Sequence, residues 1–227
     1  MNLKKQINIK ELIKGFTIIA LYFFLGDLLS IPFLFLLKKN ILNQELANLF
    51  LYVLLTLIFI IIYFKDLKKD FKNFIKNPKS ILKIGINYWI KGLFIMMVSS
   101  FIFNIIGIGT SVNQEQNIEL LKKMPLYELI SAILLAPILE ELVFRRGLKN
   151  AFKNNYLYAY TVGLIFGFIH ITTSLSSPIM ILLIIPYSAM GVAFGFAYKK
   201  TNNIFSTITI HMLHNAISLG LAMLGGI

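Results

Sequence analysis

Seven long apolar runs, at positions 15–37, 46–64, 84–108, 127–144, 156–171, 178–198 and 204–224, take up most of this chain. Each lies near the ~20 residues that a helix needs to cross ~30 Å of hydrocarbon. The composition agrees: 57% of the 227 residues are hydrophobic, only 14% are charged, and the mean hydropathy is +0.76. That balance lies well outside a soluble domain. The expected fold is all-α, a polytopic transmembrane bundle of about seven helices, forming one membrane-integral domain over residues 1–227 of a multi-pass cell-membrane protein.

The loops test the spans. The net charge of +12 would suggest a nucleic-acid partner in a soluble protein, but here it is a matter of topology, and membrane lipids replace nucleic acid as the expected partner. Alternate loops, at 1–14, 65–83, 145–155 and 199–203, hold 17 of the 22 Lys and Arg residues. The intervening loops, at 38–45, 109–126 and 172–177, hold two, two and none. The positive-inside rule then predicts a cytoplasmic N-terminus and seven crossings. The first run is too long for a signal-peptide core and is expected to be retained as a span.

Within 65–83, Leu67, Phe71, Phe74 and Ile75 recur at helical spacing with lysines opposite, the pattern of a helix lying in the interface on anionic lipid. Residues 1–14 offer a similar stripe in Leu3, Ile7 and Leu12. Residues 1–126 carry no recognised motif, and the chemistry is concentrated in 127–218.

There, Glu140 and Glu141 end a long apolar run and Arg145 follows at i+4 from Glu141. Ionisable groups at membrane depth are costly, by roughly 2.5 to 3.5 kcal/mol each on insertion scales, and mark functional sites by default. All three histidines, His170, His211 and His214, fall in the last three runs, and there is no Cys to supply a thiol nucleophile or thiolate ligand. Three patterns emerge: E-E-L-V-F-R at 140–145, F-G-F-I-H at 166–170 and H-M-L-H-N at 211–215. Spacing by four puts Glu141 beside Arg145 and His211 beside Asn215 on one helix face. If the fourth helix continues to about Phe152, Glu140, His170 and His211 lie at comparable depth at 1.5 Å per residue. Pro137, one turn before the glutamates, frees a backbone carbonyl that must be satisfied in the bundle. A purely structural reading of the two glutamates leaves one of them without a counter-ion, because Arg145 neutralises only one.

These patterns resemble the E-E-x-x-x-R, F-x-x-x-H and H-x-x-x-N motifs of the CPBP family, the intramembrane CaaX proteases and bacteriocin-processing and self-immunity proteins. Each is weak alone; the ordered set on successive helices is specific. The resemblance implies an intramembrane endopeptidase acting on a membrane-associated or lipidated peptide. In it Glu140 with His170 would activate water, His211 with Asn215 would stabilise the oxyanion, and Glu141 with Arg145 would order the site. It also leaves open a zinc version with Glu140, His170 and His211 as ligands, two histidines and a carboxylate being the ligand count of catalytic zinc. Against zinc stands the absence of an H-E-x-x-H helix. Direct activation of water by the carboxylate is the preferred reading.

Other residues receive structural expectations. His214 is a packing neighbour, Phe166 positions His170, and Phe194, Phe196 and Tyr198 form a stripe facing lipid or the interface. Asp27 and Lys91 pair with each other or reach a polar cavity. A non-catalytic immunity or scaffold protein is the alternative function. A proton-coupled transporter is disfavoured, because the polar residues sit in one half rather than in two related halves.

Overall fold

The computed structural model describes residues 6–109 and 111–225. The described chain is helical: α1 (Ile9–Lys38), α2 (Gln44–Ile62), α3 (Phe64–Lys76), α4 (Pro78–Ile105), α5 (Val112–Lys123), α6 (Pro125–Ile130), α7 (Ala136–Glu140), α8 (Asn155–Ile171), α9 (Ile184–Thr201) and α10 (Ile204–Leu224). Asparagines set several starts. Asn8, Asn43, Asn154 and Asn203 each accept a backbone N–H of the first turn of α1, α2, α8 and α10, satisfying donors that the helix cannot.

Among the described residues, six segments are long and apolar enough to cross a membrane: Ile9–Lys38, Gln44–Ile62, Pro78–Ile105, Asn155–Ser174, Pro178–Thr201 and Ile204–Leu224. The expected seventh crossing is a single helical rod of α6, a π-segment Ser131–Leu135, α7 and a second π-segment Glu141–Arg146, roughly 30 Å long. Large apolar side chains point outward along the bundle, among them Phe24, Phe94 and Phe101. An exposed apolar belt of this extent is what a bilayer covers. The protein is a multi-pass membrane protein.

The four lysine-rich loops meet at one end. Asn8 N–H donates to the Ala151 carbonyl at 2.8 Å and Lys153 N–H to that of Gln6 at 2.9 Å. Lys199 Nζ donates to the carbonyls of Lys149 and Phe152, both at 2.8 Å, and Arg146 pairs with Asp66. Asp70 accepts the first backbone N–H of α10, from Ile204, at 3.0 Å. Burial in the turn after the rod pushes the Lys149 ammonium down to about 8, and the nearby Arg146 charge adds to the shift. The remaining loops meet at the opposite end, where Tyr127 N–H donates to Glu45 at 3.0 Å and Val112 N–H to Ser174 Oγ at 2.9 Å. The alternation of charge along the sequence is thus an alternation of ends in space.

Four expectations change. The fourth helix stops by Leu148 rather than near Phe152, because the backbone of 151–153 pairs with residues 6–8 and Lys199. Residues 9–14 belong to α1 rather than to a separate surface helix, and Leu3 lies outside the described residues. The aromatic stripe faces inward at two of its three positions: Phe194 is 1% and Tyr198 0% exposed. Tyr198 Oη accepts from Arg146 at 3.2 Å, and Phe194 packs against His211. Asp27 and Lys91 are both exposed and do not pair; the Lys91 ammonium sits 5.5 Å from the centre of the Tyr88 ring.

The tightest helix contact joins α8 and α9 through glycines spaced by four, Gly163 and Gly167 against Gly191 and Gly195. A Cβ on Gly163 would lie 2.4 Å from Val192 Cγ2 and 2.6 Å from its backbone N. A Cβ on Gly191 would lie 2.8 Å from Gly163 Cα. Small residues at this spacing let helix backbones approach closely, which drives packing where lipid and protein are equally apolar. Gly163→Val is expected to destabilise the detergent-solubilised protein by at least the ~1 to 3 kcal/mol of overpacking. Gly26→Val, where nothing lies within 4 Å, should leave the thermal midpoint near wild type. Equal midpoints for both variants would contradict this packing.

Candidate active site

The rod, α8 and α10 bring the three motifs together. The second π-segment begins at Glu141, immediately after Glu140, and π-segments within α-helices recur at functional sites. Glu141 and Arg145 are both fully buried, with Arg145 Nη1 3.2 Å from Glu141 Oε1. The guanidinium also lies over the rings of Phe166, at 4.1 Å, and Phe194, at 5.6 Å. None of its nitrogens makes a hydrogen bond of good geometry among the described residues, so charge and aromatic faces hold it.

One imidazole lies between the adjacent glutamates. His211 Nδ1 is 3.0 Å from Glu141 Oε1, a hydrogen bond in which the ring donates to the carboxylate. His211 Nε2 lies 3.8 Å from Glu140 Oε2, too far for a hydrogen bond and close enough for a small displacement to make one. His170 is fixed in the same way, its Nδ1 donating to the Phe166 carbonyl at 2.8 Å. Its ring stacks on Tyr187 with centroids 5.1 Å apart. An imidazole that donates from Nδ1 to a fixed acceptor presents Nε2 as its free nitrogen, and both histidines are set this way.

Glu140 and His170 line one cavity of about 200 Å³, together with Phe144 and, from α1 and α2, Tyr22 and Tyr52. The two tyrosines come from the half of the chain without motifs, and no spacing in the sequence marks them. Asn215 lies apart from Glu140, its Nδ2 donating to the Ala132 carbonyl at 2.7 Å. The reason lies in the rod. Ala136 N–H bonds to Ser131 in the π register, so the next donor, for Ala132, would be residue 137, and Pro137 has no N–H. Asn215 fills that vacancy, leaving its second amide hydrogen free of this bond. His214 points elsewhere, accepting from Trp89 Nε1 at 3.4 Å.

Among the described residues no group of three or more His, Cys, Asp or Glu side chains is gathered closely enough to hold a metal ion. Glu140, His170 and His211 as arranged do not fit a zinc site.

Fold and site together define a polytopic helical membrane protein with a buried Glu/Arg/His cluster open to a small cavity. The family model described as type II CAAX prenyl endopeptidase Rce1-like matches residues 122–217, the stretch that holds all three motifs. The chain is 32% identical over 146 residues to the putative membrane peptidase YdiL of Bacillus subtilis, covering 60% of this chain and 56% of that protein. It is 32% identical over 157 residues to the membrane-embedded CAAX protease MroQ of Staphylococcus aureus, covering 62% and 58%. It is 31% identical over 144 residues to the UPF0177 protein YvdC of Lactococcus lactis, covering 63% and 53%. The chain thus spans little more than half the length of the curated relatives it matches. No solved structure matches it.

Proposed function

We propose that the chain is an intramembrane endopeptidase that hydrolyses a peptide bond in a membrane-associated or lipidated peptide. The observation that carries this reading is the shared cavity of Glu140 and His170, backed by His211 and the buried Glu141–Arg145 pair. The names of two relatives, a membrane peptidase and a CAAX protease, support the same class.

Hydrolysis requires a base for water, donors for the oxyanion and a proton for the leaving amine. Water in the cavity lies within reach of the Glu140 carboxylate and the free Nε2 of His170. Glu140 takes a proton as the oxygen attacks the scissile carbonyl, and the same proton passes to the departing amine. His211, when protonated on both nitrogens, donates from Nε2 to the oxyanion while Nδ1 stays on Glu141. Asn215, held on the Ala132 carbonyl about 12 Å along the rod from Glu140, anchors α10 and with it His211 in this scheme. Glu141 does for His211 what a buried carboxylate does for any catalytic imidazole, fixing its tautomer and orientation. Arg145 pairs with Glu141 and holds its carboxylate in place. No step passes through a metal ion.

The test is cleavage of membrane-anchored peptide libraries by the purified chain in liposomes, with products sequenced by mass spectrometry. The expected result is defined new termini from wild type and none from His170→Ala at equal thermal stability. Equal product from both proteins would sink the reading.

A further inference from the structure

The helix α3 has three sides, each with its own chemistry. The acidic side is turned into the protein: Asp66 pairs with Arg146, and Asp70 is buried and accepts from Ile204 N–H, while Asn203 Nδ2 donates to the Asp70 carbonyl at 2.7 Å. These contacts fix the roll of the helix about its axis. A second side is apolar. Phe74 and Phe71 pack on Phe205 with centroids 5.8 and 5.5 Å apart, while Phe64, Phe71 and Ile75 remain about half exposed or more. The third side holds Lys65, Lys68, Lys69, Lys72 and Lys76, which with Asn73 line one open groove. All five lysines are exposed and none makes an ion pair among the described residues.

A helix fixed so that exposed aromatic and aliphatic side chains flank a row of unpaired ammonium groups, next to the ends of two spans, matches the cross-section of a lipid monolayer. The apolar edge meets acyl chains and the ammonium groups meet phosphates. We propose that the lysine face of α3 is a binding site for anionic phospholipid headgroups of the leaflet at the lysine-rich end. The two flanking spans make a lipid the occupant that charge and geometry favour. An acidic protein would satisfy the lysines and leave Phe64 and Ile75 without a partner.

The full chain, purified in neutral detergent and stripped of lipid, tests this by native mass spectrometry with phosphatidylglycerol, phosphatidylcholine and inorganic phosphate as separate titrants. Phosphatidylglycerol is expected to bind at least tenfold more tightly than phosphatidylcholine. The variant Lys68→Gln/Lys69→Gln/Lys72→Gln should lose about 100-fold in that affinity, at roughly fivefold per lysine. Lys122→Gln/Lys123→Gln on α5 should lose none. Thermal midpoints of both variants should match wild type, because these lysines hold nothing in the fold. Equal binding of the two lipids by wild type overturns the site without reference to any variant. So do unchanged affinity in the α3 variant, displacement of the lipid by inorganic phosphate, or tighter binding of a polyglutamate peptide than of the lipid.

Discussion

Glu140→Gln is expected to lower peptide cleavage by roughly 10²- to 10⁴-fold, the range for loss of a positioned general base, with little change in thermal stability. The amide keeps the shape of the carboxyl group and removes its basicity. The fold tolerates this because Glu140 faces a cavity and stands 3.8 Å from His211 Nε2, so no short hydrogen bond to that ring is broken. Activity in the wild type should also survive phenanthroline, since the three candidate ligands are not gathered around one point. Loss of activity with chelator and its return with zinc would make these residues metal ligands and contradict the carboxylate mechanism.

Arg145→Ala should act in the opposite way, on the fold before the chemistry. Its removal leaves Glu141 as a fully buried carboxylate without its guanidinium partner, at a cost of ~3 to 5 kcal/mol. It also empties the space between the faces of Phe166 and Phe194. The protein should unfold at lower temperature in detergent, and cleavage should fall with it. The double variant Glu141→Ala/Arg145→Ala should recover part of the stability, because it removes the stranded charge, while remaining inactive. A single variant as stable as wild type would show that the pair does not organise the site.

Much of this architecture was legible in the sequence, for definite physical reasons. Spans show because each must be about as long as the bilayer is thick, and the loops show because lysines are sorted by side. Glu141 with Arg145 was legible from spacing by four on one helix. Asn215 follows His211 by four along α10, while its bond to Ala132 depends on a π register that no residue pattern announces except Pro137. The inward turn of Phe194 and Tyr198 was hidden for a different reason. In a bilayer both the lipid-facing and the protein-facing sides of a helix are apolar, so hydrophobicity does not tell them apart. Tyr22 and Tyr52 were invisible because a cavity wall is made by tertiary packing of helices far apart in sequence. Gly163, Gly167, Gly191 and Gly195 did carry a signal, the G-x-x-x-G spacing within apolar runs, and it marks the interface that sets the position of α8 and hence of His170.

The central claim is that Glu140 directs water onto a peptide bond inside the membrane. Its most direct measurement is cleavage of a membrane-anchored peptide by the reconstituted chain in ¹⁸O-labelled water, followed by mass spectrometry of the newly formed carboxyl terminus. Wild type should yield a product with one ¹⁸O in that terminus, and Glu140→Gln of equal thermal stability should yield almost none. Labelled product formed by Glu140→Gln at the wild-type rate, or no labelled product from wild type, would contradict the claim.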